Sequence, residues 1–413
     1  MKQLSKLYFI IAAVVALSWF LPWLYDLSFP DTGRAPFVQY SPLADSWIVS
    51  EFVENQTDPV IYAVDKVGSV QGQYTVEERD SLLPQIYYSR LMAKGLMPDS
   101  IAGVEVTMPM LRHNEMVLSV SPRNFVRVDP KVWLIMESMP ARFSLEDPKD
   151  AFRLTDDGRV EFITIGTNSI NEERSRRFTD AFAKNGFRYP AKWLNANVTT
   201  RKAYDNGYLI IDDGGDIFHM KQQAGRPYMT RISMPDEEKA RYAFVMEGMN
   251  RDDLGLVVAE SGHVFRLFSD YTLQPVPDMT FNADSQRLMV IGNLFNRVYR
   301  VGSDTEITWY AVDMQSGELL DKYSYIMPKQ LSVEIAGWIF PFRLEMTSGY
   351  DSLAYPRITC VSPKALVSGA ICAIIICFVY RRRRMTVKET VFAGVVTILL
   401  GIFAIIPLLL IKK

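Results

Sequence analysis

A chain of 413 residues with 48% apolar and 22% charged side chains is neither disordered nor a small disulfide-stapled domain. Its net charge of -2 hides an asymmetry. Residues 1–6 and 364–413 hold ten basic residues (Lys2, Lys6, Lys364, Arg381, Arg382, Arg383, Arg384, Lys388, Lys412 and Lys413) against one acid, Glu389; residues 7–363 therefore carry about -11, and so acidic a body does not favour nucleic acid or anionic lipid as its partner.

Leu7–Tyr25 is an apolar run with Trp19, Trp23 and Tyr25 at its outer end. At 1.5 Å per residue it covers about 28 Å, the thickness of a bilayer core, with aromatics where an interfacial belt sits. An uncleaved anchor is the expectation. A signal peptide cut after Ala16-Leu17-Ser18 is the alternative, although the apolar run continues past that site. Asp26–Ser41 reads as a linker. Trp47–Asp65 reads as strands, and Thr75 with Glu78 forms a capping box that opens a helix. Pro84 should kink or restart that helix, and Gly95 should end it. Strands are expected over 103–108 and 116–120.

From Ala151 the pattern turns mostly β. One helix interrupts it over Glu172–Lys184, opened by Ser169 and Glu172 as a second capping box, with Glu173 and Arg177 paired on its face. Four strand–turn–strand patterns centre on Gly158, Gly214, Gly262 and Gly317. Their spacing suits a propeller-like or other repeated-hairpin sheet; an irregular β-rich α+β domain is the alternative.

The chain closes with Ala365–Tyr380, four arginines, and Val391–Ile411. Two apolar runs around a basic turn read as a membrane hairpin, with Arg381, Arg382, Arg383 and Arg384 at a headgroup or partner surface. The positive-inside rule places these arginines, Lys2, Lys6 and Lys388 in the cytoplasm. Three spans then put residues 26–360 and the C-terminus outside, against the sign of Lys412 and Lys413. The expected fold class is α+β, a mostly β extracytoplasmic domain with three transmembrane α-helices. Its divisions are an anchor over 1–25, a mixed α/β subdomain over 26–150, a β-rich domain over 151–360 and a transmembrane hairpin over 361–413.

Candidate chemistry is sparse. There is no GxSxG elbow, HExxH, phosphate loop or dinucleotide fingerprint, and no cofactor is called for. Only Cys360 among three cysteines lies outside the apolar runs, so no disulfide framework or zinc spacing arises. His219 and His263 sit on equivalent flanks of two hairpins and are candidate metal or haem-edge ligands; hydrogen-bonded surface histidines are the plainer reading. Asp212-Asp213-Gly214-Gly215-Asp216 resembles a calcium loop but has Gln223 where the closing Glu belongs. Glu51 with Glu54, or Asp252 with Asp253, are candidate carboxylate pairs. Thr199-Thr-Arg-Lys202 is a candidate anion contact or a polar loop.

Several segments carry a family resemblance: Arg34–Ser41, Leu83–Met92, Gly95–Glu105, Asn168–Glu173, Thr199–Lys202 and Gly207–Leu209 through Phe218-His219. They resemble an uncharacterised family of Bacteroidetes envelope membrane proteins, a domain of unknown function often encoded near ABC-transporter components. The resemblance spans most of residues 30–230. It implies a bacterial inner-membrane protein with a cytoplasmic N-terminus and a periplasmic main domain. Its implied role is a non-catalytic accessory, coupling or ligand-sensing subunit, with the membrane and ABC permease and ATPase subunits as partners. An envelope enzyme acting on glycan or lipid, and a stand-alone envelope sensor or scaffold, are the alternatives. The resemblance further implies O-glycan attachment at Asp-Ser-aliphatic sites, here Ser81, Ser100 and Ser352.

Overall fold

A computed structural model describes residues 2–410 except 32, 54, 55, 143, 156 and 236. Two compact units emerge: residues 36–325, the body, and residues 1–35 with 326–413, the helical unit.

The helical unit starts with α1 (Lys2–Ser28), which extends the expected apolar run at both ends and carries Pro22 in its interior. The body starts with a four-stranded meander, β1 (Phe37–Ser41), β2 (Ser46–Glu51), β3 (Val60–Val64) and β4 (Val70–Tyr74). Helix α2 (Val76–Leu82) opens on the expected capping box: Thr75 Oγ1 accepts from Glu78 N at 3.2 Å, and Glu78 Oε2 accepts from Thr75 N at 2.8 Å. Pro84 then begins α3 (Pro84–Ala93) as a separate helix, because a proline costs nothing at the first helical position. A hairpin of β5 (Ser100–Ile101) and β6 (Val104–Glu105) follows, then α4 (Met108–Asn114), β7 (Met116–Val120) and α5 (Pro122–Phe125). The strand expected over 103–108 is thus mostly a two-residue pairing, with Thr107 capping α4.

Three further meanders come in order. The second sheet holds β8 (Trp133–Ile135), β9 (Asp150–Leu154), β10 (Val160–Thr164) and β11 (Ser169–Ile170). Helix α6 (Glu172–Lys184) packs its Phe178 and Phe182 into that sheet's core. Its N-cap is Asn171, whose side chain accepts from Arg174 N, and not Ser169, which is spent in β11. The Glu173–Arg177 pair is present. The third sheet is β12 (Trp193–Ala196), β13 (Tyr208–Ile211), β14 (Ile217–Gln223) and β15 (Arg226–Ile232); the fourth is β16 (Ala240–Val245), β17 (Asp253–Ala259), β18 (His263–Phe268) and β19 (Leu273–Thr280). The fifth comprises β20 (Arg287–Gly292), β21 (Asn296–Gly302), β22 (Glu306–Asp313) and β23 (Leu319–Ile326), and β7 pairs with β20 as an added strand.

The body is therefore mostly β, built from several small antiparallel sheets. The four expected hairpins fall one to a sheet. Gly158, Gly214 and Gly262 turn between second and third strands, whereas Gly317 turns between third and fourth. That one-strand slip lengthens the last interval between glycines, and the insertion of α6 lengthens the first, while the sheets repeat. β13 and β17 are buried along their whole length, as strands covered on both faces must be. A large core joins the third to fifth sheets, and a second joins the second and third sheets with α6. Trp193 ties the third sheet to the fourth by donating Nε1–H to Ala243 O at 2.6 Å.

In the helical unit, α7 (Leu331–Ile339) and a hairpin of β24 (Phe342–Glu345) and β25 (Arg357–Cys360) precede α8 (Ala365–Arg382). Only α1, over Leu4–Ser28, and α8 are each long and apolar enough to cross a membrane, among the described residues. The third continuous span expected over 391–411 is not there. The run breaks into α9 (Val387–Leu400) and α10 (Ile402–Leu410) at Gly401, whose φ of +55° and ψ of -135° only glycine adopts readily. Ile411, Lys412 and Lys413 lie outside the described residues.

After the break α10 turns back instead of going on. Tyr380 OH donates to Leu408 O at 3.0 Å, and Arg383 Nη1 donates to Leu409 O at 2.8 Å. The last described residues thus return to the arginine turn, in place of the expected exit on the far side. Where α8 and α9 meet, a Cβ on Gly369 would stand 2.5 Å from Ile398 O, so this glycine sets the distance between the two helices. We expect Gly401→Val to destabilise the unit by roughly 1–3 kcal/mol, from the disfavoured dihedral and a new contact with Pro341. Thermal unfolding of the full chain in detergent, followed by circular dichroism, measures it.

Candidate functional site

The acidic body keeps its most closely coupled charges inside. The 197–207 loop between β12 and β13 carries Lys202, Asp205 and Asn206, and the β16–β17 loop carries Glu247. Lys202 Nζ donates to Asp205 Oδ1 at 2.6 Å and to Glu247 Oε1 at 2.7 Å, with all three side chains almost fully buried. The carboxylates are further satisfied. Asp205 accepts from Ser138 Oγ and from Gly207 N, and Glu247 from Asn206 N at 2.6 Å and Asn197 Nδ2 at 3.0 Å. Burial nonetheless raises the Glu247 carboxyl above its ordinary range, opposed by Asn206 N and Lys202. A buried charge set this well bonded locks the two loops together, and losing one member strands the others.

His219, on β14, adjoins this set and is buried. Its Nε2 lies 2.7 Å from Asn206 O and its Nδ1 2.9 Å from Tyr271 OH, which is 2.7 Å from Tyr228 OH. A carbonyl can only accept, so Nε2 carries the proton and Nδ1 accepts from Tyr271. Burial, with Lys221 nearby, pushes the imidazole down to about 4. His263, at the start of β18, is exposed instead and pairs through Nδ1 with Glu238 Oε1 at 2.7 Å. The two histidines therefore have separate partners. No group of three or more His, Cys, Asp or Glu placed to hold a metal occurs among the described residues.

The other sequence candidates resolve into turns and pairs. Asp212 is buried; its Oδ1 accepts from Gly214 N and Asp216 N, both at 2.9 Å, and its Oδ2 from Arg188. Its lone pairs are spent on the turn and on Arg188 rather than on an ion. Asp253 is buried between Arg266 and Arg297, whereas Asp252 is exposed, so they do not act as a pair. Glu51 accepts from Tyr325 OH at 2.7 Å; Glu54 lies outside the described residues. Ser81, Ser100 and Ser352 are exposed. Asp80, preceding Ser81, is buried and salt-bridged to Arg79 and Arg90. Cys360, Cys372 and Cys377 are free thiols.

At the basic end of the helical unit, Lys6, Leu7 and Ile10 of α1 share a crevice with Met385 of the arginine turn, Ala393 of α9 and Leu408 of α10. The start of α1, the arginine turn and the end of α10 therefore meet at one end. At the other end Arg343 holds Asp26 in a bidentate pair at 2.6 and 3.2 Å, and Tyr25 OH donates to Ser332 O. Sequence reasoning located the arginines but not this convergence. It depends on Gly401, which has no signature within an apolar run.

Among known proteins, residues 37–312 match the family described as Domain of unknown function (DUF4857). No curated protein matches. Similar solved structures include a Dos1 propeller (8% identity, TM-score 0.28, covering 72% of this chain and 62% of that one). Another is the WD40 domain of SCAP from fission yeast (9%, 0.26, covering 78% and 79%). A third is the dihydro-heme d1 dehydrogenase NirN in complex with DHE (9%, 0.23, covering 72% and 73%).

The buried histidine has a consequence for stability. His219 is about 4 when folded against an ordinary 6.5, so the unfolded chain binds more protons between those values. Its contribution is fully present above pH 6.5 and is lost as pH falls towards 4, on the order of 3 kcal/mol. We expect His219→Gln to flatten the fall in unfolding temperature of the full chain between pH 7 and pH 4.5.

Proposed function

The chain belongs to the DUF4857 family, and we propose that it is a non-catalytic accessory, coupling or ligand-sensing subunit of an ABC-type envelope transport system. One observation carries this reading. The start of α1, the arginine turn and the end of α10 meet at a single end of the helical unit. With the basic end in the cytoplasm, the positive-inside rule is met by Lys2, Lys6, all four arginines and Lys388 together. The chain between α1 and α8 then lies on the periplasmic side of a bacterial inner membrane, and the five sheets form a propeller-like body there.

A single span would tether such a body. A second membrane-crossing helix with a returning pair behind it is more than attachment needs. The outward side chains of α8 and α9, among them Ile374, Phe378, Val391 and Leu399, are exposed. These faces suit lipid or the helices of a permease, and the arginines suit an acidic cytoplasmic partner such as the ATPase.

The tagged chain, extracted in mild detergent from its native host, is expected to bring down a permease and an ATPase. Recovery of the chain alone overturns the subunit reading. A reporter active only in the cytoplasm, fused after Lys413, is expected to be active, and the same reporter fused within residues 100–300 silent; the reverse pattern overturns the orientation.

A further inference from the structure

We infer that the basic end of the helical unit holds an anionic phospholipid, its headgroup on the arginine turn and one acyl chain in the crevice between α1, α9 and α10. The crevice has a volume of about 390 Å³ and is walled by Leu7, Ile10, Phe392, Ala393 and Leu408. Such walls suit a hydrocarbon chain and offer little to a polar solute. Lys6 lines the crevice itself, and four arginines and Lys388 lie one turn or less along the chain from its lining residues Tyr380, Met385 and Glu389. These are six cations, all exposed.

The acid at this end is Glu389. Its carboxylate accepts from Thr386 N at 2.9 Å and Thr386 Oγ1 at 2.8 Å, closing the capping box that begins α9. One carboxylate against six cations leaves a net positive charge beside an apolar slot. A phosphodiester of net negative charge with two acyl chains matches both features, and basic pockets between membrane helices at the cytoplasmic face bind such headgroups generally. A zwitterionic lipid matches the slot alone, and a soluble phosphate matches the charge alone.

The proposal rests on the helical unit lying in a bilayer, but not on a transporter partner. The test titrates the purified full chain in detergent, by native mass spectrometry, with phosphatidylglycerol, with phosphatidylcholine of the same chains, and with glycerol 3-phosphate. Phosphatidylglycerol is expected to bind at least about tenfold more tightly than phosphatidylcholine, since neutral lipid forgoes several near-surface charge contacts. Glycerol 3-phosphate is expected to bind weakly. Arg381→Gln/Arg382→Gln/Lys388→Gln, at three exposed positions, should abolish the preference between lipids. Leu7→Trp, which fills the crevice from a half-exposed position, should weaken both lipids. Equal binding of the two lipids, phosphatidylglycerol-like binding of glycerol 3-phosphate, or unchanged behaviour of either variant overturns the site. Release of the chain from membranes by alkaline carbonate would instead overturn the bilayer placement itself.

Discussion

A helix must leave its last carbonyls unpaired, and in an apolar setting those groups need donors. At the end of α10 the donors are Tyr380 OH and Arg383 Nη1, which reach Leu408 O and Leu409 O. The cation also faces the negative end of the helix dipole. This closure can form only if α10 runs back towards the arginine turn. That direction needs the glycine-only geometry at Gly401. The arrangement of the helical unit follows: α10 lies against α1, and the basic segments gather at one end.

In the body the comparable constraint is the internal pairing of charge. Lys202 sits between Asp205 and Glu247, and Asp253 between Arg266 and Arg297. Each of these groups is buried at a cost that its ion pairs and hydrogen bonds offset. The first set joins loops of the third and fourth sheets and the second joins strands of the fourth and fifth, so they fix how one meander is placed on the next. His219 belongs to the same environment. Its neutral form, with a defined tautomer, is set by Asn206 O on one side and Tyr271 on the other.

Much of the local structure was legible from residue order. The Thr75–Glu78 cap, the Pro84 restart and the hairpin glycines depend on neighbours within a few positions, and each appears where its local chemistry puts it. Ser169 misled because two oxygen-bearing side chains, Ser169 and Asn171, stood close enough to cap α6, and pairing with β10 took the first. The two histidines looked equivalent by position along their hairpins. They differ because β14 is covered where His219 lies, while His263 stands at the exposed start of β18.

The sequence by itself determined the separation of an acidic, β-rich body from apolar, basic-flanked segments, because hydrophobic periodicity and charge are local properties of the chain. It determined also where most turns fall. Tertiary structure alone decided that Lys202 would meet Glu247, 45 residues away, since a salt bridge between loops of different sheets leaves no trace in either loop. It decided that β7 would join the fifth sheet across the intervening meanders. It also decided that the last apolar run would be two helices rather than one. Composition measures how apolar a segment is, whereas its direction depends on which donors wait at its far end.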